Sequence, residues 1–422
     1  MAAATPHAHV DLVERVSYIS STSKANGGYL DAKTPNVDDI EGGALRAGGR
    51  PSLWTRDYFG VAVQYVGVGV IYGTLPATVY PPYYLDPALR EKKPSKYTDA
   101  DKLNINLSAP DRGGKLIIFM MLAAVGYVGS DVAADGMVVE LAQREPEAVR
   151  GTTQTTIYLV REVFIGLSLC LTGFFFNGVD YGGDFGFSLT FPQLMLILTC
   201  VCVPVIPCTW FFIKEDKHPG VNFKNYMSEF WDLLQSRAMY QSLPTGSFRA
   251  FLKSSRLCSY WAKAAPINDT IASVSGTVIF SLVLYFTMAK GLHWNWRWMH
   301  AITLFAVITI DSIVVFFTTW DVVRSQWFWL GPPILENIPS GISFIVATYV
   351  VVELAGEGNE GAVYGLLTTT SNLSGTFAST ITKNVDAHFK VTSADIQEDS
   401  NEVRWDVSYV YIIMYCSKIF GL

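Results

Sequence analysis

The sequence predicts an all-α polytopic membrane protein. Three observations carry that prediction: a shortage of charge, a series of long apolar runs, and a run–turn–run motif that occurs twice. Only 16% of the 422 residues are charged, while 50% are apolar and 14% aromatic; a soluble domain carries about 25% charged residues. The apolar residues gather into runs rather than stripes, and a bilayer-spanning helix needs ~20 of them in succession. The formal charge of −6 decides little, because orientation in a membrane follows the placement of Lys and Arg rather than their sum.

In chain order, residues 1–55 are polar and rich in Gly, Ser and Asn, with no early apolar core. They read as a disordered cytosolic tail without a secretory signal. Nine spans are expected, at 58–80, 116–141, 157–176, 191–213, 271–289, 299–320, 327–354, 362–382 and 407–422. They group into an N-terminal transmembrane half, 56–213, and a C-terminal half, 266–422, joined by a cytosolic linker, 214–265.

Charge sets the orientation. The stretch 214–263 holds eight Lys/Arg and belongs in the cytoplasm, whereas 177–190 has none and belongs outside. The turn 143–150 is then cytoplasmic. The loop 81–115 holds seven Lys/Arg and five acids yet falls outside; long loops obey the charge rule less strictly. A glycosylation sequon, Asn106-Leu107-Ser108, lies in that loop. Of six cysteines, Cys170, Cys200, Cys202 and Cys208 lie within apolar runs and read as small buried residues rather than a disulfide framework.

The turn at 143–150 has a copy. "VVELAQREPEAVRGTTQTT" from Val138 aligns with "VVELAGEGNEGAVYGLLTTT" from Val351 with one inserted residue. Residues 138–142 match 351–355 and Glu147 matches Glu360. Beyond the insertion Ala148, Val149, Gly151, Thr155 and Thr156 match Ala362, Val363, Gly365, Thr369 and Thr370. Each copy ends one apolar run and begins the next, which points to duplication. Repeats of equal orientation are the mark of a major-facilitator-type two-half helical bundle. Such a relation puts both turns on one side, yet the five spans between them put them on opposite sides. Either one of those spans is false or a crossing is hidden in 241–263, which is polar and basic.

Several separated motifs, "DVAADGMVVELAQREPEAVRG", "SYWAKAAPIND", "GLHWNWRWM", "TTWDVVRSQWFWLGPPILENIPSGISF" and "VVVELAGEGNEGAVYG", together resemble the folate–biopterin transporter family of the major facilitator superfamily. The resemblance covers most of residues 54–421. It implies a twelve-span secondary transporter for folates, pterins or related metabolites, adenosylmethionine included, often coupled to protons. The chain departs from the family in three places. Two spans are missing after Tyr80, "QSLPTGSFRAFLKSS" replaces an apolar seventh span, and Ala134-Asp135-Gly136 stands where Ala-Asp-Ala is usual. The bundle is therefore incomplete, with about nine recognisable spans. That keeps an alternative open: a truncated or decayed non-transporting paralogue acting as a membrane binding or scaffold protein.

Charges inside the runs are the candidate site residues, because a charge near the bilayer centre costs ~2.5–3.5 kcal/mol on insertion scales. Asp131 and Asp135, four residues apart, share a helix face. Arg161 lies as far after Pro146 as Asp131 lies before it, so antiparallel helices bring the two to one depth, as an ion pair or with Arg161 free for an anionic substrate. In the second copy these positions are Phe344, Thr348 and Gly375, and Asn372 is the candidate lining residue. Glu336 and Asn337 follow "GPP", at an outer mouth or a helix cap. Asp311 stands alone in the sixth span and reads as buried and polar-paired. Glu140, Glu147, Glu353 and Glu360 sit at the turns, as gating contacts or as solvated acids. Trp294, Trp296 and Trp298 beside Arg297 read as an interfacial anchor. No metal cluster, nucleophile triad, phosphate loop or basic nucleic-acid surface is readable. The expectation is no enzyme, no cofactor and no metal, with the lipid bilayer, a small-molecule substrate and protons as partners. Span length does not choose between plasma and organelle membrane.

Overall fold

The computed structural model describes residues 44–45, 49–52, 54–78, 98–103, 109–178, 185–213, 264–290, 295–354 and 360–420, with isolated positions between 222 and 262. The sequon, most of the loop 81–115, most of the linker 214–265 and Trp294 lie outside the described residues, so those expectations have no structural counterpart.

The described residues are about 82% helical, with no strand among them. The first half contains α1 (Arg56–Thr78), a short α2 (Asp99–Leu103), α3 (Ala109–Gln143), α4 (Thr152–Phe175), α5 (Phe191–Cys202) and α6 (Val205–Phe212). The second contains α7 (Pro266–Lys290), α8 (Trp296–Thr319), α9 (Gln326–Leu335), α10 (Asn337–Leu354), α11 (Glu360–Asp386), α12 (Ser393–Glu398) and α13 (Asn401–Phe420).

Five helical stretches are long and apolar enough to cross a membrane: Ile118–Gln143, Thr152–Phe175, Phe191–Phe212, Ile267–Lys290 and Trp298–Thr319. Helix also occupies the other four expected runs, but the run at 327–354 is not continuous. Pro332 and Pro333 lie inside α9 and remove two backbone donors, and Glu336 alone separates α9 from α10. Ile118, Phe119, Met121, Leu122 and Val125 on α3 are all more than half exposed. An apolar patch of that extent on a monomer marks a contact surface, and the stretch that carries it, Ile118–Gln143, is long and apolar enough to cross a membrane. The same outward exposure corrects the cysteines. Cys200 and Cys416 are exposed and Cys170, Cys202 and Cys208 only partly covered, because membership of an apolar run does not distinguish a lipid face from a core face.

α1 packs most extensively on α4, α4 on α7, α7 on α10 and α11 on α3. Glycines bring α1 close to α4: a Cβ at Gly69 would lie 2.6 Å from the Arg161 carbonyl oxygen. Small residues at such a contact let helix backbones approach.

The two repeated turns meet. Gln143, directly after the first VVELA, donates its Nε2 to the carbonyl of Val352 in the second at 3.3 Å. The Tyr349 hydroxyl lies 3.0 Å from Thr155 Oγ1. The flanks of both turns therefore lie at one end of the bundle, which requires an even number of crossings between them. At the turn end, Ile213 packs against Gly60 of α1, whose neighbour Tyr58 reaches the Thr153 carbonyl. Trp261 donates its indole N–H to the Ile396 carbonyl at 2.8 Å, beyond the end of α11 farthest from the turn. Ile213 and Trp261 therefore lie at opposite ends.

The expected free tail also needs correction at its end. Ala44 is buried, and the Leu45 amide donates to the Gln143 carbonyl at 3.0 Å, so this part docks on the turn. The remainder of the tail lies outside the described residues.

Candidate functional site

A polar centre forms where α1, α3 and α4 converge with α11. Asp135, on the inward face of α3, is 1% exposed. Its Oδ1 accepts a short hydrogen bond from the Tyr65 hydroxyl of α1 and one from the Tyr158 hydroxyl of α4 at 3.1 Å. The Tyr158 hydroxyl lies 2.8 Å from that of Tyr364 on α11. The rings of Tyr65 and Tyr158 meet edge to face at 5.9 Å, a geometry aromatic pairs favour. Asp135 Oδ2 is buried and has no hydrogen-bond partner. Beside Tyr158, Gln154 is fully buried, with its Nε2 3.5 Å from the phenol oxygen.

One turn earlier on α3, Asp131 also buries an oxygen, Oδ1, that lacks a partner. Its neighbour Ser130 accepts from Gln64 of α1 through both its carbonyl and its hydroxyl, each at 2.9 Å. The expected direct pair with Arg161 is not formed. Arg161 instead bonds Glu162, the next residue, at 3.1 Å, and lies within electrostatic reach of Asp131. Its guanidinium sits 4.8 Å from the Tyr158 ring centroid and 5.4 Å from that of Phe344. Cation–π contact with two rings, together with an adjacent carboxylate, holds the cation away from Asp131. Phe344 is the position that matches Asp131 in the second copy. The repeat thus presents an aromatic ring to Arg161 where the first copy has an acid.

At the turn, Glu145 is 1% exposed and closes the N-terminus of α4. Its carboxylate accepts from the Gly151 amide at 2.8 Å, the Thr153 amide at 2.9 Å and Thr153 Oγ1 at 2.7 Å. Burial pushes this carboxyl above its ordinary range, against the opposing effect of those hydrogen bonds. Gly151 adopts φ 94°, and a Cβ there would lie 2.2 Å from Tyr349 Cε1. Only glycine suits that contact. Of the acids expected at the turns, Glu140 pairs with Arg144 at 2.5 Å. Glu147 lies in a single 3₁₀ turn, and Glu353 and Glu360 bracket the second turn on α10 and α11. Asn372 falls within α11. The side chains of these last four lie outside the described residues.

Glu336 occupies the α9–α10 break, and Asp311 of α8 accepts from the Tyr415 hydroxyl at 2.8 Å. That bond gives Asp311 the buried polar partner expected of it.

Sequence reasoning missed Tyr65, Tyr158, Tyr364, Glu162 and Glu145. A tyrosine in an apolar run gives no signal of its own. Glu145 lay among four other turn acids, and only its spacing before Thr152 and Thr153, at a helix start, set it apart.

Helices of this length and apolarity, with carboxylates and their hydroxyl partners held inside, define an all-α integral membrane protein. No protein-family model matches the chain, and no curated protein matches it either.

Proposed function

We propose that the chain is a secondary transporter of the folate–biopterin type, moving a folate, a pterin or a related metabolite by alternating access of two halves. Asp135 is its proton-coupling group. The observation that carries this reading is the Asp135–Tyr158–Tyr364 chain, which links α3 and α4 of the first copy to α11 of the second. An ionised Asp135 accepts from hydroxyls and tightens that chain. A protonated Asp135 loses acceptor strength and turns its free Oδ2 into a donor. A proton would thereby change how firmly the two copies hold together, which is the energetic link that coupled transport requires. Arg161, backed by Tyr158 and Phe344, suits an anionic substrate group such as a glutamate carboxylate. Glu140, Glu147, Glu353 and Glu360 border the turns that part when that end opens.

The competing reading, a non-transporting membrane scaffold, draws on a different observation. Two cavities, of about 390 Å³ beside Arg50, Tyr58 and Glu145 and about 550 Å³ beside Gln64, Ser130 and Trp210, are lined by neither Asp135 nor Arg161.

Uptake of labelled folate, biopterin and adenosylmethionine in a deficient host separates the two. The carrier reading expects uptake of at least one, abolished by Asp135→Asn. If Arg161→Gln abolishes uptake but Asp131→Asn/Arg161→Gln restores it, Arg161 is a counter-ion only. No uptake by a correctly inserted full-length chain rejects the carrier.

A further inference from the structure

The second half buries charges of its own, at the place where its helix path breaks. Glu336 is the single residue between α9 and α10. Asn337 reaches back to the carbonyls of Pro333 and Ile334, at 3.4 and 3.0 Å, so the break is held in shape. Ten residues of helix separate Glu336 from the start of α9, or ~15 Å at 1.5 Å per residue, which is about half of a ~30 Å hydrocarbon core. Asp311, eight residues from the end of α8, lies ~12 Å deep on the same basis.

Three observations converge there. Glu336 buries Oε1 with no hydrogen-bond partner. Asp311 is 8% exposed and takes the Tyr415 hydroxyl on Oδ2. Lys418 of α13 is 1% exposed and lies within electrostatic reach of both acids. Those are the charged groups that reach Glu336 from α8 and α13. On its other side α7, whose Gly276 meets Asn337, carries charge only at its ends, Asp269 and Lys290.

We propose that Glu336, held at this break with Asp311 and Lys418, is a second proton-binding site, separate from Asp135. Two ionised carboxylates and one ammonium leave the cluster with one negative charge in excess, and a single proton supplies the balance. Glu336 is the group that receives it, because Asp311 already has a donor in Tyr415 whereas Glu336 Oε1 has none. The step is a proton transfer from water on one side onto a Glu336 carboxylate oxygen, reversed when the O–H bond breaks toward the other side. Interrupted helices near mid-membrane are where transporters place coupling ions. The site does not depend on what substrate the chain moves.

Infrared difference spectroscopy across a pH titration of the full chain in lipid nanodiscs tests the site without any substrate. The expected result is a protonated-carboxyl carbonyl band that titrates, is lost in Glu336→Gln and persists in Asp135→Asn. Glu336→Asp should keep the band at a shifted frequency, and Asp311→Asn should move its titration midpoint. These two variants give the answer if Glu336→Gln does not fold. A band unchanged in Glu336→Gln, or unmoved in both other variants, overturns the proposal.

Discussion

Gln143 Nε2 donates to the Val352 carbonyl at 3.3 Å, tying the residue after the first VVELA to the interior of the second. The contact is part of a larger seam. Gly151 presses on Tyr349, and at the matching position of the second copy a Cβ on Gly365 would lie 3.4 Å from Val132. The helix that follows each turn therefore packs on the helix that precedes the other turn. Such reciprocal packing is what duplication of one helix pair would produce.

Gly151→Ala tests the seam. The added methyl meets the Tyr349 ring at 2.2 Å, and the positive φ of 94° strains any L side chain by ~1–3 kcal/mol. The melting temperature of the detergent-solubilised chain should fall. Gly151→Ala/Tyr349→Ala should recover the steric part and not the backbone part. Full recovery would show that the left-handed conformation is unimportant.

Tyr65→Phe and Tyr158→Phe each remove one donor to Asp135. A hydrogen bond to a charged group contributes about 1.5–3 kcal/mol, and the carboxylate is 1% exposed, so each loss is poorly compensated. Both variants should lower thermal stability, and Asp135→Asn should blunt the effect of either. If the double variants show the plain sum of the single losses, the hydroxyls do not act through Asp135.

The helix positions were readable because ~20-residue apolar runs have few alternatives to helix. The repeat was readable because VVELA occurs unchanged at Val138 and Val351. What was hidden depended on direction. A helical period does not say whether Cys200 meets lipid or protein. It does not say that Tyr65, seventy residues before Asp135, aims at it. Equal depth for Asp131 and Arg161 was a sound inference, but depth alone does not choose a partner. Glu162, next to Arg161 in the chain, competes locally, and the rings of Tyr158 and Phe344 decide the outcome.

Outside the apolar runs, Asp399 should make stability depend on acid. Hydrogen bonds from Arg324, at 2.5 and 2.9 Å, and from Arg404, at 2.9 and 3.0 Å, hold its carboxyl well below the usual carboxylate range. A carboxylate whose pKa is depressed on folding contributes stability that is complete above the unfolded value of ~3.9. That stability is lost as pH falls toward the lower folded value. Acid melting curves of the native chain should therefore steepen below about pH 4, and Asp399→Asn should remove that component while lowering stability at neutral pH. An unchanged acid limb in Asp399→Asn would reject the assignment.

Ile213 is at the turn end, against Gly60, and Trp261 is at the far end, under the Arg324 guanidinium at 4.8 Å. Single cysteines at Ile213 and Ala264, in a chain stripped of its six native cysteines, should react with a membrane-impermeant thiol reagent from opposite sides. A cysteine at Arg150, in the first turn, should share the side of Ile213. Two turns that touch require an even number of crossings between them. Among the described residues, four helices between the turns are long and apolar enough to cross a membrane, and the interrupted α9–α10 path follows them. Labelling of Ile213→Cys and Ala264→Cys from the same side would reject a crossing between them, and the touching turns would then require that α9–α10 does not complete one.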